Sequence, residues 1–553
     1  MSRTLITAGA IHAGDPPRPG PTAMVVEGSR ITWLGPVAEV PRPTPKRKVE
    51  LGEASVVIPG LIDCHLHMID LPLLARWVDC RGARTRDEAL ARMRSGAVEV
   101  PHGEWVVGWG YDAAGVENGR RATRSQLDEA VPGRPALLAE SSFHQGAANS
   151  PALAAVGWGR ATPRWFGGEL ERDRRGEPTG MAWEAAFSVL WKRARGASEE
   201  ALASQGALAE RYRLAARDLL AQGITHAGEA LAGPEHLELL REASLDVGFT
   251  VMPGSGRHWF APPWDALAGP VTGQGDPHLA VGPLKLFADG AERCAMSIPL
   301  PAALRQTAGV VRNARRDPTG VRVLLTARAR LSGGRFRSGT LHHPPGRLAD
   351  LIEAALRRGF RTAVHALGNE GFRQAVSAYE EARRRTGVAV AGCRIEHGHF
   401  AEGPDIERAA ALGLILSMQP GHAVHYARTM RSAQVDRIFD PVPVKAAVEA
   451  GCRVAISSDG PTAPGTALDN MRGAVDRIAA DGEPIRPDLA IGRIDALRAA
   501  TLGGAEACDV AGVKGSLAPR KQADFAVLSG DPFDPTTRVE QTWVAGRRVW
   551  PSR

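Results

Sequence analysis

The chain has 553 residues, 44% hydrophobic and 5% aromatic, and its 68 Lys and Arg against 61 Asp and Glu leave a net charge of +7. That length exceeds one simple core: at ~150 residues per domain it suggests two to four, fewer if one is an α/β barrel, and such a core needs no disulfide staples. The positive balance does not point to nucleic acid, because the arginines are interleaved with Glu and Asp, only Lys46-Arg47-Lys48 clusters, and aromatic stacking platforms are scarce.

Residues 3 to 57 read as short strands, Thr4 to Thr7, Ala23 to Val26, Arg30 to Leu34 and Ser55 to Ile58, separated by Gly-Asp-Pro-Pro and other Pro-rich breaks. The basic cluster then reads as a solvated hairpin. Next, an apolar run rises from Pro59-Gly60 and ends in His65-Leu66-His67, which on a strand sets two imidazoles on one face. Roughly 150 residues follow before Gly223, too many for one βα loop. They imply an inserted subdomain over 70–220, with strands Trp105 to Gly110 and Ala136 to Ser141 and a helix from Glu199 to Ala221, hanging over a barrel mouth as a substrate lid.

From residue 223 short buried strands alternate with amphipathic helices. The strands are Ile224 to Glu229, Phe249 to Pro253, Val281 to Asp289, Thr362 to Leu367, Cys393 to His399, Leu414 to Gln419 and Val454 to Asp459; Val57 to His67 makes eight. One helix is marked by Leu348, Leu351, Ile352, Ala355 and Leu356, ended by Gly359. Eight such strands predict an α/β fold, a (β/α)8 TIM-type barrel over 58–509 with its chemistry at the carboxyl ends of the strands. The last strands, Ala523 to Leu528 and Arg538 to Trp550, have too little apolar material to fold alone. Residues 1–57 and 510–553 are therefore expected to form one small discontinuous β-sandwich.

The six cysteines are scattered, with no Cys-x-x-Cys pair, and read as reduced cytosolic thiols. The first ten residues lack the apolar core of a signal peptide, and no uncharged apolar run approaches the ~18 to 20 residues that cross a bilayer. The expectation is a cytoplasmic protein acting on a small molecule, without nucleic-acid or membrane partners, with a homodimer left open.

The carboxyl ends of the predicted strands carry ionisable residues: His65 and His67 on the first, Lys285 on the fourth, His365 on the fifth, His397 on the sixth and Asp459 on the eighth. An ionisable side chain on an apolar strand has to be paired, metal-bound or neutralised to offset several kcal/mol of burial. One buried histidine is an ordinary core residue. Convergence of all these groups on one rim reads instead as a metal site.

These segments, together with Gly108-Trp109-Gly110-Tyr111-Asp112, Leu127 to Pro135, Pro178-Thr179-Gly180, Val364 to Gly368, Arg394-Ile395-Glu396-His397, Gly515-Ser516-Leu517 and Ala523-Asp524, resemble the amidohydrolase superfamily, and within it the amidohydrolase-3 or YtcJ-like branch. The resemblance runs over nearly the whole chain and implies a metal-dependent hydrolase of C–N bonds in amides, N-formyl or N-acyl compounds. It implies that His65, His67 and Asp459 bind the more buried metal, that His365 and His397 bind a second, and that Lys285 bridges both as a carbamate. Nitrogen and oxygen ligands of this kind suit one or two Zn2+, with Mn, Fe or Co allowed. The implied mechanism is attack by a metal-bound hydroxide with Asp459 as general acid and base.

Two departures stand out: Asn369 occupies a position where the family usually has an acid, which predicts a weakened partner of the metal site, and 290–346 lacks the usual family text and is arginine-rich from Arg312 to Arg337. Other residues carry open readings. His144 either contacts substrate or is a hydrogen-bonded structural histidine; Trp109 and Tyr111 either line the pocket or pack the lid. Glu396 points away from His397 on strand alternation and reads as structural. His226 and His399 are mouth candidates without a role, and His422 and His425 read most plainly as solvent-exposed. A mononuclear deaminase is the alternative enzyme, distinguished by an unmodified Lys285. A catalytically silent binding protein would be favoured by missing ligands, and none of the six is missing.

Overall fold

The computed structural model describes residues 3–14, 22–113, 120–162, 167–255, 259, 261, 263–327 and 329–551. The fold is α/β. Most of the predicted Gly14 to Pro17 break lies outside the described residues.

The termini build two sheets. Arg3–Thr7 pairs antiparallel with Ala23–Glu27 and parallel with Arg47–Glu50, so the exposed Lys46-Arg47-Lys48 cluster borders a parallel edge strand and not the expected hairpin. Lysine and arginine there keep an open edge in water. The second sheet joins both ends of the chain: Val56–Pro59 pairs antiparallel with Phe525–Leu528, followed by Val539–Val544 and Arg547–Trp550. Ile6, Met24, Val26, Val57, Phe525, Val527 and Trp543 from the two sheets share one buried cluster.

The expected single strand Val57 to His67 is divided at Gly60. Val56–Pro59 stays in the terminal sheet, whereas Leu61–Leu66 enters the central one beside Ile224–Ala232. Glycine is required at the switch, since a Cβ there would lie 2.2 Å from Thr225 Oγ1.

The centre consists of two parallel sheets. One carries Leu61–Leu66, Ile224–Ala232, Gly248–Pro253 and Leu279–Val281; the other carries Leu284–Phe287, Thr362–Ala366, Arg394–His397, Ile415–Met418 and Arg453–Ile456. The predicted strand Val281 to Asp289 is broken at Gly282-Pro283, where proline removes a donor and the chain changes sheet. The sheets meet at two seams: Gly282 N–H donates to Val251 O (2.7 Å), and Asp459 N–H donates to His65 O (2.8 Å). No continuous ladder closes them among the described residues. Helices pack outside; Arg347–Arg357 buries Leu348, Leu351, Ile352 and Leu356, each worth about 2 kcal/mol of apolar burial.

Between the first two central strands lies a six-stranded sheet ordered Gly168–Arg172, Pro178–Glu184, Gln145–Ala148, Ala136–Glu140, Val106–Tyr111, Val78–Asp79. It has an aromatic core that includes Trp77, Trp105, Phe143, Phe187 and Trp191. The single helix expected from Glu199 to Ala221 is two helices, Ala185–Ser204 and Leu208–Ala221, parted where Gly206 turns left-handed (φ +65°). The arginine-rich segment folds as a hairpin of Arg330–Ser332 and Arg335–Ser338 paired with Met296–Pro299, plus helices Leu300–Asn313 and Thr319–Thr326. No described helix is long and apolar enough to cross a membrane.

Candidate active site

His65, His67, Lys285, His365, His397 and Asp459 line one small cavity at the carboxyl ends of the central strands. Leu61–Leu66 delivers His65 and, one residue past its end, His67; Leu284–Phe287 delivers Lys285; Thr362–Ala366 delivers His365; Arg394–His397 ends in His397. Asp459 was expected at a strand end, but that strand stops at Ile456 and the chain turns left-handed at Asp459 (φ +54°). A non-glycine residue held in that region is over-determined by its surroundings. Here Asp459 N–H donates to His65 O, and Thr462 Oγ1 lies 2.6 Å from Asp459 O and 3.2 Å from its Oδ2.

Asp459 Oδ1 lies 3.2 Å from His67 Nε2 and 3.4 Å from His65 Nε2, and Lys285 Nζ lies 3.4 Å from His65 Nε2. The imidazoles of His65 and His397 are 4.9 Å apart, those of His365 and His397 4.5 Å, centroid to centroid. Burial pushes His65 down to about 4, with the Lys285 charge acting the same way, and it holds His365 and His397 well below the ordinary imidazole range. Burial likewise brings Lys285 down to about 8. For Asp459 burial acts upward, but the hydrogen bond from His67 and the neighbouring His65 outweigh it and keep the carboxyl ionised. Neutral imidazoles at His65, His365 and His397 beside an ionised carboxylate are the protonation states of metal ligands, whereas at His67 burial acts downward but the hydrogen bond and charge of Asp459 outweigh it and hold the ring above the ordinary imidazole range.

Two partners orient the rings. Arg394, fully buried, donates Nε and Nη2 to Glu396 at 2.8 Å each, and Glu396 Oε2 lies 2.5 Å from His65 Nδ1. A carboxylate fixed beside a guanidinium can only accept, so His65 carries its proton on Nδ1 and turns the Nε2 lone pair into the cavity. Gln419 does the same for His397: its Oε1 lies 2.9 Å from Nδ1, while its amide NH2 lies 2.8 Å from Ser457 Oγ and donates to Ser417 O (3.3 Å), a carbonyl that can only accept and so settles which end faces the ring. Glu396 is therefore not directed away from the site. Strand alternation fails there because His397 is left-handed (φ +71°), so the pleat ends at Glu396. Arg394-x-Glu396 on a wholly buried strand was the available signal, since two such charges must pair.

His144 lines the cavity, stacks on His365 with 5.5 Å between centroids, and holds Glu184 Oε2 at 2.6 Å through Nδ1. Trp109 and Tyr111 do not line it. Trp109 stacks on Phe143 (6.4 Å), lies under Arg81 and borders a separate cleft, and the buried Tyr111 donates its hydroxyl to Arg120 O, so both pack the inserted sheet. His422 is buried, with Nε2 3.1 Å from Thr462 Oγ1 and 3.7 Å from Asp459 Oδ2, which corrects the solvent-exposed reading. His425 borders the outer cleft. His399 stands behind His397, and His226 lies in the core with Nε2 2.9 Å from Thr250 Oγ1. Asn369 exchanges hydrogen bonds with the Ser297 backbone at 2.8 and 2.9 Å; it pins the Met296–Pro299 strand to a helix and does not partner the metal-ligand candidates.

The donor set fits a divalent metal. His365 Nε2 is buried without a hydrogen-bond partner, its nearest carboxylate oxygen being Asp289 Oδ1 at 3.9 Å, and an orphaned ring nitrogen is costly unless something coordinates it. His65, His67 and Asp459 each offer a ligand atom, all within 4.8 Å of one another. The profile of the Amidohydrolase family matches residues 54–550.

The chain belongs to the Amidohydrolase family. It is 30% identical to the N-substituted formamide deformylase of Arthrobacter pascens over 95% of this chain and 94% of that one. It is 26% identical to YtcJ of Bacillus subtilis over 90% and 89%. A metal-dependent hydrolase of Pyrococcus horikoshii superposes with a TM-score of 0.67 at 21% identity, over 96% of this amidohydrolase and 98% of that chain.

Proposed function

We propose that this amidohydrolase is a metal-dependent enzyme cleaving the C–N bond of amides, N-formyl or N-acyl compounds, acting on bonds other than peptide bonds. The observation that carries the reading is the convergence of His65, His67, Lys285, His365, His397 and Asp459 on one cavity, with His65 and His397 held as neutral rings. The formamide-cleaving relative supports an amide substrate. In this reading the two parallel sheets are one distorted (β/α)8 barrel, the terminal sheets a β-sandwich built from 1–57 and 510–553, and 70–220 a subdomain over the barrel mouth. A cytoplasmic setting accords with six free thiols.

His65, His67 and Asp459 would hold one ion, and His365 and His397 a second, with Lys285 between them as a carbamate; zinc suits these nitrogen and oxygen donors. When bound, such ions acidify water and polarise an acyl oxygen. Asp459, ionised and anchored by Thr462, takes the proton of the attacking water and returns it to the departing nitrogen. The acyl carbon gains the water oxygen, the C–N bond breaks, and the nitrogen leaves as an amine. Phe143, Leu231 and Phe287 keep bulk water from this exchange by walling the cavity with apolar surface.

A mononuclear site is the second reading, favoured by the tight grouping of His65, His67 and Asp459. Metal analysis after reconstitution, beside a panel of N-acyl and N-formyl amines, separates the two. Two ions per chain with amide turnover supports the binuclear reading; one ion with Lys285 unmodified supports the alternative; no turnover of any amide overturns the proposed activity.

A further inference from the structure

Asp70 lines the same cavity yet belongs to neither ligand group. It follows His67 by three residues, its N–H donating to His67 O (3.0 Å), and only 5% of its surface is exposed. Its Oδ1 is buried without a hydrogen-bond partner. The nearest cation, Arg195, keeps its Nε 4.0 Å away and directs Nη1 to Glu199 (3.2 Å) and His236 (2.9 Å) instead. Nor does Asp70 cap the short helix that follows it. The other polar walls are engaged: His144 holds Glu184, and Thr462 holds Asp459. With the guanidinium no nearer than 4.0 Å, a buried carboxylate oxygen that has no hydrogen-bond donor calls for one from the substrate.

Resting on the amide-hydrolase reading, we infer that Asp70 is a specificity-determining residue that accepts the hydrogen bond of the scissile amide N–H, so that the enzyme acts on N-monosubstituted and primary amides and rejects N,N-disubstituted ones. Asp70 rises from the same chain segment as His67, whose Nε2 lies 3.2 Å from Asp459 Oδ1. Asp70 and Asp459 line the same small cavity, so the nitrogen that receives the Asp459 proton leaves within walls that Asp70 helps to form. Its N–H points at Oδ1 in the bound amide, and the amine released carries the same donor. A tertiary amide would bury Oδ1 against an alkyl group and leave it unpaired. Sites built to bond a substrate N–H discriminate strongly against analogues that lack it.

The test compares kcat/KM for N-butylformamide and N-butyl-N-methylformamide in the zinc-reconstituted wild type, Asp70→Ala and Asp70→Asn, with thermal melting of each. Wild type is expected to prefer the monosubstituted compound by at least about 100-fold. Asp70→Ala should collapse that preference to within about tenfold, chiefly by lost turnover of the monosubstituted compound, while Asp70→Asn, which keeps an acceptor oxygen, should retain part of it. If Asp70→Ala does not fold, Asp70→Asn and the wild-type ratio still decide. A wild-type ratio within about threefold, or an unchanged ratio in Asp70→Ala, would overturn the inference and leave amide hydrolysis standing. Cleavage of neither compound, nor of any other amide, would overturn the parent reading and this subsite with it.

Discussion

Nδ1 of His65 lies 2.5 Å from Oε2 of Glu396, and both side chains are almost wholly removed from solvent. Glu396 is in turn locked to Arg394, which also donates to Cys64 O (3.0 Å) and Ala507 O (2.9 Å). The relay joins three segments distant in sequence and hands the cavity one lone pair from His65.

Glu396→Gln should therefore weaken metal binding by about 10- to 100-fold. It should also lower the melting temperature, because Arg394 loses its counter-charge inside the fold. Chelator competition and thermal melting measure the two effects. Wild-type affinity in a folded variant would show that His65 needs no partner.

Removing a ligand acts more directly. His65→Ala or His67→Ala should lose the ion shared with Asp459, since the coordination shell is left incomplete. Elemental analysis after reconstitution gives the result, with circular dichroism to show that the fold persists.

Asp459→Asn should cost at least ~10²-fold in turnover with the fold intact. The amide is nearly isosteric, can still accept from Thr462, and cannot carry the proton. Turnover is to be measured beside metal content; near-normal rates with a full complement would remove Asp459 from the mechanism.

Much of this site was legible in the sequence because a polar residue ending an apolar strand is conspicuous: His65, His365 and His397 announce themselves in that way. Glu396, Gln419 and Asp70 do not. Their meaning depends on a left-handed residue at 397, on an amide whose orientation the Ser417 carbonyl settles, and on an oxygen that Arg195 approaches only to 4.0 Å. The sheet change at Gly60 was hidden because apolar residues run on unbroken through two different sheets. Trp109 and Tyr111 stayed open between two readings for the opposite reason, since aromatic residues fill the core of the inserted sheet as readily as a pocket.

Away from the site, Glu140 is buried in the inserted sheet, and burial pushes it from 4.5 up to about 8, although Arg121 and Gln145 bind it at 2.8 and 2.7 Å. Between those values the folded chain holds a proton that the unfolded chain has released, so stability should fall as pH rises through that window and level off above it. Urea melts at several pH values in wild type and Glu140→Gln test this; the variant should lose less stability from pH 5 to 8, and parallel curves would contradict it.

Metal dependence is tested by turnover of an N-monosubstituted formamide before chelation, after chelation, and after zinc is restored, with bound metal counted at each stage. Active protein is expected to hold one or two ions per chain, to lose turnover as they leave, and to recover it as they return. Turnover that survives complete removal of metal, or reconstituted protein that binds none, would contradict metal dependence.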